Sequence, residues 1–253
     1  MEITLAGSTA LVTGANGGLG AHFAQTLARA GADVAVAARR VDALHDVVAA
    51  IAKLGRRVVP VALDVTDAAS VARAFDDAAR TLGPIGVVVN NAGIAVTKPL
   101  LDHTEDDWRS VIDVNLNGAW RVAQAAARRM VAHGQGGSIV NVASILGLRV
   151  AAQVPSYAAS KAALIQLTKA MALELARHRI RVNALAPGYV ETAMNRDFFA
   201  SDAGQAMIKR VPQRRIGTPD ELDGALLLLA SDAGSYMTGS VVTVDGGHVV
   251  GSL

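Results

Sequence analysis

Tyr157 and Lys161 stand four residues apart at the head of an alanine-rich segment, and Ser144 precedes them on the same stretch. On a helix that spacing places the phenol and the ammonium on one face, a turn apart. An ammonium beside a phenol favours the phenolate and is expected to draw its pKa below the ordinary value of about 10. Such a tyrosine exchanges a proton with a substrate oxygen near neutral pH. Ser144, on the loop after a predicted strand, is placed to donate to the same oxygen. Taken alone, a tyrosine and a lysine at helical spacing are also what a solvated helix carries. A cofactor site aimed at the same place is what would separate the two readings.

The turn Thr13-Gly-Ala-Asn-Gly-Gly-Leu-Gly20 supplies a candidate for that site. It lies between a predicted strand and a predicted helix. Glycines there let backbone N–H groups approach a pyrophosphate, and the helix N-terminus offers its positive end. Gly14, Asn16, Gly18, Leu19 and Gly20 are the positions that would face the phosphates. The glycine spacing differs from the general dinucleotide fingerprint, and a tight turn also uses such a cluster. The next strand ends at Ala38-Arg39-Arg40, where an acidic residue would read a ribose 2′-hydroxyl. An arginine there instead suits a 2′-phosphate. Arg39, with Arg40 beside it, therefore points to NADP(H), with NAD(H) still open and solvated surface charge as the plain alternative. Asp64-Val65 and Asn90-Asn-Ala-Gly93 end the third and fourth strands. Asp64 is placed to accept from an adenine amino group or to serve as a turn residue. The Asn90–Gly93 stretch suits either a chain lying against a cofactor or an Asx turn.

The elements that must position these groups alternate along the whole chain. Strands are predicted at 9–13, 33–38, 57–63, 85–90, 138–142, 180–185 and 241–244. Helices are predicted from the glycine-rich turn to Gly31, over 42–54 and 67–82, in two segments over 105–132 with Asn115 near their junction, from Tyr157 to about Arg177, and over 219–230. Strands apolar on both faces and separated by helices indicate a parallel sheet covered on both sides. Residues 191–212 read as irregular. No linker or repeat divides the chain, so residues 1–253 read as one domain.

Composition narrows the function classes. Hydrophobic residues make up 51% and aromatics only 4%, which implies a large aliphatic core. A net charge of +2 without a basic block gives no case for nucleic acid. Cysteine is absent, which removes disulfides and thiolate metal ligands and fits a cytoplasmic setting. The longest aliphatic run, Leu226 to Ala230, is too short to span a bilayer. The histidines (His22, His45, His103, His133, His178, His248) lack ligand-like spacing and read as surface or cap residues, so no metal is expected.

Five features stand in one order: Thr13-Gly-x-x-x-Gly-x-Gly20, Asn90-Asn-Ala-Gly93, Asn115, Ser144 and Tyr157-x-x-x-Lys161. Pro187-Gly188 and Thr192 follow the sixth strand. The chain thereby resembles the single-domain branch of the short-chain dehydrogenase/reductase family, from Leu5 to about Gly247. The resemblance implies a Rossmann-type doubly wound parallel sheet in an α/β fold. It implies Tyr157 as general acid in carbonyl reduction and base in alcohol oxidation. Lys161 would lower the tyrosine's pKa and bond the nicotinamide ribose, Ser144 would polarise the substrate oxygen, and Asn115 would hold a relay water. Asn91, Ala92 and Gly93 would line the cofactor, Asp64 and Val65 would bracket the adenine, and Pro187, Gly188, Val190 and Thr192 would meet the nicotinamide side. Arg39 matches a basic position of NADP-preferring members, whereas the second such position is Gly17 here. The short spacing of Tyr157 and Lys161 departs from the bacterial enoyl-reductase pattern and argues against C=C reduction.

The expected activity is therefore interconversion of a ketone and a secondary alcohol by hydride transfer. A 3-oxoacyl thioester reductase of fatty-acid synthesis would use the same set. A non-catalytic nucleotide-sensing protein would be expected to lack Tyr157 or Lys161. Leu146, Val150 and Val154 could form one substrate wall, facing Met194, Phe198 and Phe199 as a lid; a satellite core would explain the same residues. No arginine or lysine stands out as a grip for a carboxylate, so a neutral or mostly apolar substrate is expected. The resemblance also implies a homotetramer. Alanines 123, 126, 127, 159, 163 and 170 suit close helix packing, between subunits or within one chain, and the apolar tail from His248 to Leu253 could dock on a neighbour.

Overall fold

A computed structural model describes residues 3–192 and 196–251. Seven strands form one sheet: β1 Thr9–Thr13, β2 Asp33–Ala38, β3 Val58–Ala62, β4 Val87–Asn90, β5 Gly137–Val142, β6 Ile180–Pro187 and β7 Val241–Val244. Their order is β3-β2-β1-β4-β5-β6-β7, and every pairing is parallel. The order reverses between β1 and β4, which opens a crevice at the carboxyl ends of those strands. The doubly wound α/β architecture expected from the alternation is present.

The helices are α1 Gly18–Arg29, α2 His45–Lys53, α3 Ala68–Leu82, α4 Glu105–Ile112, α5 Ala119–His133, α6 Pro155–Leu175, α7 Arg196–Ala200, α8 Asp202–Ile208 and α9 Asp223–Ala230. Strand alternation decides which helix meets which face. Ala10, Val12, Val34 and Val36 turn toward Phe23 and Leu27 of α1, Val47 and Ile51 of α2, and Leu226 and Leu229 of α9. Leu11, Ala35, Ala37 and Val88 turn the other way, onto Phe75 of α3 and Val122, Ala126 and Met130 of α5. Phe23 and Phe75 are fully buried on opposite sides of the sheet. Truncating either to alanine should cost about 3–5 kcal/mol.

Local signals fix the helix ends. Thr104 and Asp107 form a reciprocal capping box at α4. Gly134, left-handed at φ 69°, stops α5. Between α4 and α5, where two helical segments were expected to meet, residues Asp113–Gly118 form a π-helix. The path from α4 to α5 is thus continuous, with a local widening at Asn115. Two predicted helices open as 3-10 turns, Asp42–Leu44 and Pro219–Leu222. The stretch read as irregular after Glu191 contains α7 and α8; Ser201 caps α8 by accepting from the Gly204 N–H at 3.2 Å. No helix among the described residues is long and apolar enough to cross a membrane.

Candidate active site

Ser144 leaves the end of β5 in extended backbone and caps a 3-10 turn, Ile145–Gly147, by accepting from the Leu146 N–H at 3.1 Å. Gly147 presses this turn onto α6, since a Cβ there would stand 2.8 Å from the Lys161 carbonyl oxygen. The turn thus carries the Ser144 hydroxyl toward the Tyr157 phenol, where it favours the ionised form. Sequence reasoning missed Gly147, although a glycine between the two reactive positions was a legible signal.

Lys161 is buried, and its Nζ lies 5.5 Å from the centroid of the Tyr157 ring. It donates to the carbonyl of Val142 at 2.7 Å. Burial lowers the ammonium from 10.5 to about 8. Burial also pushes the Tyr157 phenol above its ordinary value; the Ser144 hydroxyl opposes this and nearby Tyr189 reinforces it. This corrects the expectation that Lys161 draws the phenol down. Loss of hydration is the largest cause for both groups.

Asn115, in the π-helix, is fully buried. Its Oδ1 accepts from the Ile94 N–H at 2.8 Å, while its Nδ2 donates to the Ile94 carbonyl at 2.9 Å and to the Ser160 hydroxyl at 3.1 Å. Ser160 in turn donates to the Tyr157 carbonyl at 2.7 Å. The amide therefore clamps the loop after β4 to α6. Gly93 completes this clamp: a Cβ there would be 3.3 Å from Asn115 Oδ1 and 3.6 Å from Lys161 Nζ.

The glycine turn forms the opposite part of the crevice. Gly14 is left-handed at φ 66°, and a Cβ on Gly20 would be 2.1 Å from the Gly14 carbonyl oxygen, so Gly20 lets α1 start against the strand. Gly17 and Gly18 face open space, and no side chain caps the α1 N-terminus. Its first N–H groups are thus presented to a ligand, which suits an anionic pyrophosphate. Asn16 is exposed, whereas Leu19 packs against the α1 core. A cleft of about 360 Å³ is lined by Gly18, Glu191, Thr192, Arg196, Thr218 and Pro219. Arg196 pairs with Glu191 across it at 2.9 Å.

Other predicted positions have more structural work than expected. Asn91 Nδ2 donates to the carbonyls of Thr13 and Gly14 at 3.0 and 3.3 Å, and the Thr13 hydroxyl accepts from the Asn91 and Ala92 N–H groups, each at 3.0 Å. Asn91 thereby ties β4 to the glycine turn. Asp64 Oδ1 accepts from the N–H and hydroxyl of Thr66 at 2.9 and 2.7 Å, so the turn reading holds for that oxygen. Those bonds, with Arg39 and Arg121 adding to them, hold the Asp64 carboxyl below its ordinary value. Val65 is buried against Gly118, with its carbonyl taken by Arg121 at 3.4 Å. Arg39 and Arg40 are exposed at the end of β2. Pro187 closes β6, and Gly188 allows contact with Asp245, 2.7 Å from where its Cβ would be. Val190 is buried and bridges to Gly217.

On the substrate side, Leu146 and Val154 are half-buried, and Val150 is 82% exposed. Phe199 is buried edge-on against Tyr189, with ring centroids 5.9 Å apart, while Phe198 faces outward. Met194 lies outside the described residues. Three expectations are corrected here. His248 is buried, its ring 5.3 Å from that of Tyr189, so it is no surface residue. Arg149 is half-buried, and its Nη1 donates to the His248 carbonyl, which places an arginine beside the site after all. The compact turn at Ile145–Gly147 folds the chain back toward the C-terminal segment, a path no local pattern announces. His22 also departs from the surface reading: it bonds Asp223 at 2.7 Å and lies near Asp220. Asp223 further accepts from Thr26 at 2.8 Å and from Arg29 at 3.3 Å. Ala123, Ala126 and Ala127 pack within the chain's own core, while Ala159 and Ala170 are exposed on α6.

A family model described as enoyl-(acyl carrier protein) reductase matches residues 14–248. The chain is 42% identical to cis-4-hydroxycyclohexanecarboxylate dehydrogenase of Sinomonas cyclohexanicum, over 94% of this chain and 95% of that protein. It is 39% identical to 3-oxoacyl-(acyl-carrier-protein) reductase FabG of Thermotoga maritima, over 97% and 99%. Among solved structures, a gluconate 5-dehydrogenase from Burkholderia cenocepacia in complex with NADP and tartrate superposes with a TM-score of 0.94 at 37% identity, over 99% and 98% of the two chains.

Proposed function

We infer a function from this premise: the chain belongs to the short-chain dehydrogenase/reductase family and is an oxidoreductase acting on CH–OH and C=O groups. The proposed activity is NADP(H)-dependent interconversion of a secondary alcohol and a ketone, with Tyr157 as the proton-transferring group. The observation that carries it is the Lys161 ammonium, buried 5.5 Å from the centroid of the Tyr157 ring and hydrogen-bonded to a backbone carbonyl, with the Ser144 hydroxyl acting on the same phenol.

In the reducing direction negative charge grows on the substrate oxygen as its carbon gains hydride, which a bound nicotinamide supplies. Ser144 and Tyr157 converge on that oxygen as donors, and Tyr157 gives up its proton. Lys161, with its Nζ 5.5 Å from the ring centroid, then stabilises the phenolate. With its ammonium near pKa 8, Lys161 is also able to return a proton. Because the Asn115 amide is committed to Ile94 and Ser160, a relay water there would be held by the main chain. Oxidation runs the same steps in reverse.

The uncapped α1 N-terminus, the Thr192-lined cleft and Arg39 support dinucleotide binding, and the NADP-bound Burkholderia relative supports the phosphorylated form. The Thermotoga relative supports a second reading, reduction of a 3-oxoacyl thioester. A panel of ketones, secondary alcohols and a 3-oxoacyl carrier thioester, run with NADPH and NADH, tests both. Tyr157→Phe is the control. Absence of nicotinamide-dependent turnover across the panel would remove the proposed function, and exclusive use of the thioester would select the second reading.

A further inference from the structure

Arg149 lies on the loop between Ser144 and Tyr157, just past the turn that Gly147 presses onto α6. Its Nη1 donates to the carbonyl of His248. A guanidinium carries five N–H donors in a planar fork, so most of the fork is uncommitted. Among the described residues no carboxylate lies within ion-pair distance of it. Two arginines beyond β6 differ. Arg196 is paired with Glu191 at 2.9 Å, and Arg215 grips Glu221 through two bonds of 2.7 and 2.6 Å. Asp245, the acidic residue nearest His248 in sequence, spends its oxygens on the Gly247 and Val249 N–H groups at 2.9 and 2.7 Å.

The guanidinium is close enough to act on the Tyr189 hydroxyl and the His248 ring. Those two rings are 5.3 Å apart, and Tyr189 in turn acts on Tyr157. The Arg149 Nη1 is held at the His248 carbonyl, not at Ser144 or Tyr157, with half-buried apolar surface from Leu146 and Val154 on the same loop. A guanidinium with most of its fork open is free to take a ligand of opposite charge. The ligand that matches a planar fork is a carboxylate, held by two parallel bonds.

We propose that Arg149 binds a substrate carboxylate, so that the substrates are hydroxy and keto acids whose acid group is remote from the reacting carbon. This rests on Ser144 and Tyr157 marking where that carbon lies. Leu146, Val154 and Phe199 would accommodate the carbon skeleton between the two ends.

The test compares two probes that differ only in charge: cis-4-hydroxycyclohexanecarboxylate and its primary carboxamide. Each is oxidised with NADP by the wild type, R149M and R149K, with thermal unfolding recorded for all three. The wild type should favour the acid. R149M should cut the acid-over-amide ratio of kcat/KM by about 10–100-fold, mainly through KM, the range for a hydrogen bond to a charged group. R149K, which keeps the charge and loses the fork, should fall between. An unchanged ratio in R149M, with both substrates and the unfolding temperature declining together, would make Arg149 a loop brace and overturn the proposal. So would a wild type that uses the amide as well as the acid, or one that uses neither probe yet turns over plain alcohols. A wild type inactive on every alcohol and ketone would instead remove the proposed function, and this inference with it.

Discussion

Lys161 donates its hydrogen bond to the backbone carbonyl of Val142, 2.7 Å away, and not to the hydroxyl of Tyr157. A buried ammonium held by one carbonyl is a liability for the free protein, and its pKa of about 8 records that. Between pH 8 and 10.5 the unfolded chain binds more protons at this residue than the folded chain does, so stability rises with pH across that window. Replacing Lys161 with methionine should remove the rise. It should also stabilise the cofactor-free protein at pH 7 by on the order of 3 kcal/mol while abolishing turnover. Denaturant unfolding of both proteins at several pH values checks the sign.

Tyr157→Phe removes the transferable proton and leaves the ring. The expected loss in kcat is about 10²–10⁴-fold. Ser144→Ala removes one of two donors to the substrate oxygen, and a loss of about 10²-fold is expected. Steady-state kinetics on any accepted ketone, with unfolding temperatures alongside, separates lost chemistry from lost structure.

Arg39 is exposed at the end of β2 and has no ion-pair partner among the described residues. Arg39→Ala should raise KM for NADPH by about 10–100-fold and leave that for NADH nearly unchanged. Equal changes for the two cofactors would count against a 2′-phosphate role.

Two glycines of one turn should respond oppositely. A Cβ on Gly20 would collide with the Gly14 carbonyl oxygen at 2.1 Å, so Gly20→Ala should lower the unfolding temperature. Gly17 has extended backbone and nothing within 4 Å, so Gly17→Ala should leave stability intact and weaken cofactor binding by crowding the phosphates. Calorimetry with and without NADP reads both effects.

Leu173 is 83% exposed on α6, on the same helix as exposed Ala159 and Ala170. If that face joins subunits of a tetramer, Leu173→Glu should reduce the molar mass seen by light scattering. A monomeric wild type would discard the assembly.

The doubly wound sheet was legible because each strand carries apolar residues on both faces and each helix a long alanine-rich period. Ser144, Tyr157, Lys161 and the glycine turn were legible because their spacing is local. Other features depend on distant segments meeting. Arg149 reaches His248, and Tyr189 packs between His248 and Phe199, across three stretches with no shared pattern. The direction of the Tyr157 shift was hidden for a related reason: spacing reports neighbours, whereas the loss of water depends on everything packed around them.

The wide turn at Asp113–Gly118 also fixes a length. Each residue of a helix advances the next by about 100°. Deleting one residue there would swing the apolar stripe of α5, with Val122 and Met130, off the sheet or else draw Asn115 out of reach of Ile94. Natural variants of this enzyme should therefore tolerate many substitutions along that segment and almost no change in its residue count.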